Sequence, residues 1–195
     1  MSKKPVIVFE GIEGSGKTFH INNVTRYLKK KKIDFIKLRE PGGSKNSELI
    51  RNLILDNKSN FNKTTDFLLY SAARSENINI LNKHHNKKII IIDRFTDSTI
   101  AYQHYGFGVD ISLIRTINSY ILSKFKVDFT FLNIVNDKNM KLRLKKRKNL
   151  NRYDKFNKIF YTKVQNGFKI LANKNKRKYR IINSNIDIEI NKKII

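Results

Sequence analysis

Val6-Ile7-Val8-Phe9-Glu10 runs directly into Gly11-Ile12-Glu13-Gly14-Ser15-Gly16-Lys17-Thr18, and a helix-like segment follows from Phe19. An apolar strand, a G-x-x-x-x-G-K-T loop and a helix, in that order, make a phosphate-binding unit. The glycines let the backbone bend until its N–H groups point inward on phosphate oxygens. Lys17 has the reach for β- and γ-phosphates, the Thr18 hydroxyl suits Mg²⁺, and the helix adds its positive N-terminal end. Gly11, Gly14, Ser15, Gly16, Lys17 and Thr18 are therefore the expected nucleoside triphosphate site.

The 195 residues suit one domain with a full core, 1–195. With no cysteine, disulfides and thiolate metal sites are excluded. His20, His84, His85 and His104 show no metal-ligand spacing. No apolar run approaches membrane-spanning length, and Met1-Ser2-Lys3-Lys4 leads straight into the strand rather than into a signal peptide. A cytoplasmic protein with no membrane partner is expected. The net charge of +25 points toward nucleic acid. Excess Lys, however, comes with excess Asn and Ile and only 2 Pro, as drift toward AT-rich codons would produce. The runs Lys29–Lys32 and Lys174–Arg180 sit where helices should end, a favourable place for cations. No specific nucleic-acid partner is expected, although the charge would attract any anionic substrate.

Apolar runs alternate with longer periodic segments. Expected strands are Val6–Glu10, Asp34–Arg39, Lys88–Asp93, Phe129–Ile134 and Tyr179–Ile182. Ile89-Ile90-Ile91-Ile92 is a continuous β-branched run, suited to a parallel strand buried on both faces. Expected helices are Phe19–Lys31, Ser47–Leu55, Thr64–Asn86, Thr96–His104, Ile111–Lys124, Lys138–Lys148 and Phe156–Asn173. The alternation predicts a three-layer α/β domain with a mostly parallel central sheet flanked by helices, the fold of P-loop NTPases. Ligands of such sheets bind at the carboxyl ends of the strands. Glu10–Gly11, Arg39–Glu40 and Asp93–Arg94 all fall there.

Asp93 ends an apolar strand and supplies the usual second half of a phosphate-loop site, supporting Mg²⁺ directly or through water. The following residue is Arg94, where motor ATPases generally need a Glu to activate water. Arginine is no base, but its planar fork suits phosphate. Arg39-Glu40-Pro41-Gly42-Gly43-Ser44 follows the second strand, and the next helix carries Arg51. The site reads as one built to hold a second phosphorylated molecule.

These residues resemble the bacterial thymidylate kinase family. The resemblance rests on Phe9-Glu10-Gly11-x-Glu13-Gly14-x-Gly16-Lys17-Thr18, Arg39-Glu40-Pro41-Gly42-Gly43 and Asp93-Arg94. It continues through Tyr70-Ser71-Ala72-Ala73-Arg74, Asp97-Ser98-Thr99-x-Ala101-Tyr102-Gln103 and Phe160-Tyr161-x-x-Val164-x-x-Gly167-Phe168. It covers nearly the whole chain in order. It implies transfer of the ATP γ-phosphate to dTMP with Mg²⁺, giving ADP and dTDP for dTTP synthesis, and a homodimer to which Ile111–Phe125 contributes apolar contacts.

The resemblance also implies roles. Tyr70, which alone would read as a core aromatic, stacks on thymine; Arg74 donates to a base carbonyl; Gln103 completes recognition of the base edge, where an amide can donate or accept. Glu13, an odd carboxylate inside a phosphate loop, faces the sugar 3′-OH, and Tyr102 packs near C2′. Arg39, Arg51 and Arg94 hold the dTMP phosphate in line, with Pro41, Ser98 and Thr99 on the same side. The segment 145–157 is a lid that closes over the phosphates. Because Gly14 stands where some relatives carry arginine, Arg152 matches the lid arginine of the bacterial pattern, with Arg143 and Arg147 toward the ATP end. Lys17, Asp93, Arg94 and Arg152 are the expected catalytic set, with Thr18 and Asp93 on the metal. Departures are Asn151 in place of a common Asp, His104-Tyr105-Gly106-Phe107-Gly108 in place of a glycine-rich segment usually carrying arginine, and a short tail after Ser184 that predicts a truncated last helix.

Rival readings are a kinase for another nucleotide or nucleoside, and a basic P-loop ATPase acting on nucleic acid. Several acceptor-side arginines count against a nucleoside acceptor. Asp93-Arg94 counts against the ATPase.

Overall fold

The structure, a computed structural model, describes residues 4–195; Met1, Ser2 and Lys3, at the start of the stretch read as no signal peptide, lie outside the described residues. Five strands form one sheet in the order β2 (Phe35–Arg39), β3 (Ile89–Asp93), β1 (Val6–Glu10), β4 (Phe129–Ile134), β5 (Tyr179–Asn183). Every pairing is parallel. The described helices are α1 (Lys17–Lys30), α2 (Lys45–Leu55), α3 (Lys63–His84), α4 (Thr96–Thr99), α5 (Ile111–Leu122), α6 (Asp137–Lys145), α7 (Lys158–Lys174) and α8 (Ile188–Ile194).

Strand alternation sorts the core into two layers. Phe9 and Ile91 point to one face, against Ile21 and Leu28 of α1. Val6, Val8, Ile90 and Ile92 point to the other, against Leu81 of α3 and the rings of Phe95 and Phe125. The isoleucine run therefore serves both faces, as a buried central strand requires. Phe9 lies opposite Asp93, and Arg39 opposite Asp93 on its other side, so β1, β2 and β3 end level. That register delivers the three polar pairs to one edge.

The expected helix Thr96–His104 divides: one turn of α4 is followed by a π-helical segment, Ile100–Gly106. Phe107 N–H donates to Tyr102 O, five residues back, at 2.9 Å. The wider turn presses Ala101, Tyr102 and Gln103 into the interior. The helix expected to reach Lys148 stops at Lys145, and α7 starts at Lys158. Between them a 3₁₀ turn, Arg152–Lys155, is fixed by a reciprocal cap in which the Asn151 side chain accepts from Tyr153 N–H and Asp154 accepts from Asn151 N–H. The cause is Tyr153, whose ring is surrounded by those of Tyr70, Tyr102, Phe107 and Phe156. Burying such a ring is worth roughly 2 kcal/mol, enough to bend the segment inward. The short tail after Ser184 does end in a helix, the 7-residue α8.

Candidate active site

The phosphate loop wraps around its own lysine. Gly11 has φ 138°, and a Cβ there would lie 2.2 Å from the Asn133 carbonyl, so only glycine fits against the end of β4. Lys17 Nζ donates to Gly11 O at 2.8 Å and Ile12 O at 3.0 Å, folding back on the loop's own carbonyls. Burial, reinforced by Arg94, pulls this ammonium down to about 8, against the charges of Asp93, Glu13 and Glu10. Arg143 borders the loop from outside, donating to Gly14 O at 2.8 Å and to Ser184 O at 2.6 Å. Ser15 is buried within the loop.

Arg94 forms the centre of the site. Its φ of 66° turns the chain sharply at the end of β3. The guanidinium donates to Gly11 O at 2.8 Å and Glu13 Oε1 at 2.8 Å, with Ser98 Oγ and Tyr102 Oη each at 3.4 Å. The Tyr102 hydroxyl donates to the other Glu13 oxygen. A carboxylate inside a phosphate loop is thus neutralised by a cation and a phenol. Behind Arg94, the Glu10 carboxylate accepts from Phe95 N–H (2.7 Å), Ser98 N–H (3.2 Å) and Ser98 Oγ (2.5 Å). Burial, followed by the nearby charge of Asp97, raises Glu10 to about 7.

Across the cleft, Arg74 is buried and donates to Glu40 (2.7 Å), Asn118 (2.7 Å) and Thr99 (2.9 Å). Those contacts use only part of its five N–H groups. Burial raises the Glu40 carboxyl although Arg74 opposes it. Arg51 donates to Pro41 O at 2.6 Å, and Arg39 pairs with Glu48 at 2.9 Å. Gln103 Nε2 donates to Asp66 Oδ2 at 3.1 Å, while its buried Oε1 accepts nothing among the described residues.

One cleft of about 570 Å³ joins these groups, lined by Glu13, Lys17, Thr18, Arg39, Pro41, Arg51, Tyr70, Arg74, Asp93, Arg94, Ser98, Thr99, Tyr102, Gln103 and Arg147. Arg152 is not brought to it. That side chain pairs with Asp66 and lies over the rings of Phe61 and Tyr153. The lid arginine on the cleft wall is instead Arg147, which pairs with Asp154 and stands there with Asn151 and Tyr153 of the same segment. Asp93 Oδ1 is buried and without a partner among the described residues, and Thr18 shares the same wall. A hard cation fits there, because an orphaned carboxylate oxygen and a hydroxyl are its preferred donors. Among the described residues no cluster of His, Cys, Asp or Glu could hold a metal alone. Mg²⁺ held mainly through substrate phosphates needs none.

The sequence places Glu10 and Glu40 at the strand ends but gives them no role, and it does not single out Asp66 or Asn118. Asp66 carried one usable signal: it stands one helical turn before Tyr70 and two before Arg74, on the same face of α3. Asn118 carried none.

The family model described as thymidylate kinase matches residues 9–195. A thymidylate kinase of Thermosipho africanus is 38% identical over 164 residues, 83% of this chain and 81% of the relative. One from Wolbachia pipientis (strain wPip) is 37% identical over 190 residues, 95% and 90% of the two chains. The crystal structure of thymidylate kinase from Ehrlichia chaffeensis superposes with a TM-score of 0.77 at 33% identity, covering 96% of this chain and 90% of that one. Together with the phosphate loop and the acceptor side facing it, these matches make the chain a member of the thymidylate kinase family.

Proposed function

We propose that the protein moves the γ-phosphoryl group of ATP onto the phosphate of dTMP, giving ADP and dTDP. One observation carries this reading: a single cleft has a phosphate loop at one end and arginines and an amide at the other, with Arg94 donating to the loop at Gly11 O and lying 3.4 Å from the Ser98 and Tyr102 hydroxyls on the acceptor side. In the transfer, a dTMP phosphate oxygen bonds to the γ-phosphorus as the bond to the β–γ bridging oxygen breaks. The nucleophile is already anionic, so no strong base is required. Catalysis then consists of alignment and charge neutralisation. Lys17 exchanges its loop carbonyls for β- and γ-phosphate oxygens. Arg39, Arg51 and Arg94 hold the acceptor phosphate, Tyr70 and Arg74 take the base, and Glu13 with Tyr102 meets the sugar. Thr18 and Asp93 would hold Mg²⁺, which would offset the negative charge of the ATP phosphates.

The segment 145–157 acts as the lid. Arg147 already stands on the cleft wall; Arg152 reaches the phosphates by leaving Asp66. The reading includes a cytoplasmic homodimer, with exposed Leu68 of α3 and Leu113 of α5 offering apolar surface to a second copy. Sedimentation measures that state directly.

The test is ADP formation from ATP and Mg²⁺ with dTMP, dUMP, dCMP, AMP or thymidine as acceptor, and with none. Fast turnover on dTMP, slower on dUMP and none on thymidine is expected. Equal ADP without acceptor would mean a hydrolase, to be tested next for stimulation by DNA.

A further inference from the structure

We infer that Asp66 sets the base specificity of the acceptor site by locking the Gln103 amide with its carbonyl oxygen toward the cleft. The inference rests on the dTMP reading above and goes beyond it: it selects pyrimidines whose ring N3 carries hydrogen. Asp66 itself does not line the cleft. It acts through Gln103, so it is a positioning residue.

An amide can turn either end to a ligand, and only its surroundings choose. Three donors converge on Asp66: Arg152 on Oδ1, and the Tyr153 hydroxyl and Gln103 Nε2 on Oδ2. The carboxylate offers no hydrogen, so the NH₂ end of Gln103 must face it. Tyr153 gives its single proton to Asp66 and so meets Gln103 Nε2, at 3.4 Å, with a lone pair. Both neighbours on that side are acceptors. Turning the amide over would set its oxygen against two others and lose both contacts. Oε1 is left buried and without a partner among the described residues, on a side chain that lines the cleft. A buried acceptor with no partner favours a ligand that brings N–H to it. Thymine and uracil carry hydrogen on N3; cytosine presents a lone pair there.

Asp66→Asn tests the lock. Arg152 donates only, so it keeps the new amide oxygen on its side and turns the NH₂ toward Gln103. Gln103 then reverses and presents Nε2 to the base. The dissociation constants of dTMP and dCMP are measured on the full chain without ATP, where Arg152 stays on residue 66, dTMP by calorimetry and dCMP by competition. Discrimination between them should fall about 10-fold or more in Asp66→Asn, the cost of one mismatched buried hydrogen bond. Loss of the Arg152 anchor affects both ligands alike and cancels in the ratio. In a Gln103→Ala background, Asp66→Asn should leave the ratio unchanged. Equal weakening of both ligands by Asp66→Asn alone overturns the inference and makes Asp66 a structural anchor. If that variant does not fold by circular dichroism, Asp66→Ser is read in the same way, since a hydroxyl both donates and accepts; an unchanged ratio there also overturns it. Failure of the dTMP reading looks different: the wild-type chain binds neither nucleotide, and the inference falls with it.

Discussion

Arg94 and Glu13, 81 positions apart in sequence, meet at 2.8 Å across the mouth of the phosphate loop, and the same guanidinium reaches Gly11 O. The pair explains how a loop built for anions accommodates a carboxylate. It also means that Arg94 holds the loop in shape before any phosphate arrives.

Arg94→Lys is therefore not a conservative change. A lysine supplies one point charge where a fork serves the loop, Glu13 and the acceptor phosphate together. We expect kcat/KM for dTMP to fall about 100-fold or more, as when a preorganised donor is removed from a transition state. Retention of most activity would show that the fork geometry is dispensable.

Lys17 sets an alkaline signature. Its folded value, about 8, lies below the ordinary 10.5, so between those values the unfolded chain keeps a proton that the folded chain has released. Folding stability should then rise with pH across that window relative to Lys17→Met, which cannot titrate. Thermal melts of both proteins at about pH 7.5 and about pH 10, roughly 2.5 units apart, check the sign. Lys17→Met should also lose ATP binding.

Glu10 works in the opposite direction. A carboxyl raised to about 7 from 4.5 binds more protons folded than unfolded between those values, so its share of stability declines as pH rises through them. Glu10→Gln should flatten that part of the profile, because an amide can still accept from Phe95 N–H and Ser98 N–H. A profile of unchanged slope between the two values would assign it to other carboxyls, Asp97 first among them.

Glycines in two loops should respond unequally. Gly11→Ala places a methyl 2.2 Å from a backbone carbonyl, and we expect folding to be impaired by more than about 2 kcal/mol and ATP binding to be lost. Gly108, at φ 73°, has nothing within 4 Å of a new methyl, so Gly108→Ala should cost only about 1 kcal/mol. Chemical denaturation of both variants gives the comparison.

What the sequence made legible follows from locality. The phosphate loop, the Ile89–Ile92 run and the level strand ends are written in contiguous residues, and the sheet has the expected strands within one residue at either end. The partners of Arg74 are different: Glu40, Thr99 and Asn118 lie 34, 25 and 44 positions away, and only the fold assembles them. The π-helical turn escaped because its apolar spacing also fits an α-helix; its signature is one extra residue per turn, not a residue type. Arg152 matched by position, yet a long side chain chooses its partner in space, and Asp66 lies 86 residues away.

Arg143 joins the phosphate loop to the carbonyl of Ser184, just past β5. That carbonyl belongs to the backbone, so exchanging the side chain at 184 leaves it in place. Removing one residue between 183 and 188 would draw it away and slacken the loop from a distance. This short connection thus behaves as a spacer, forgiving in composition and strict in length.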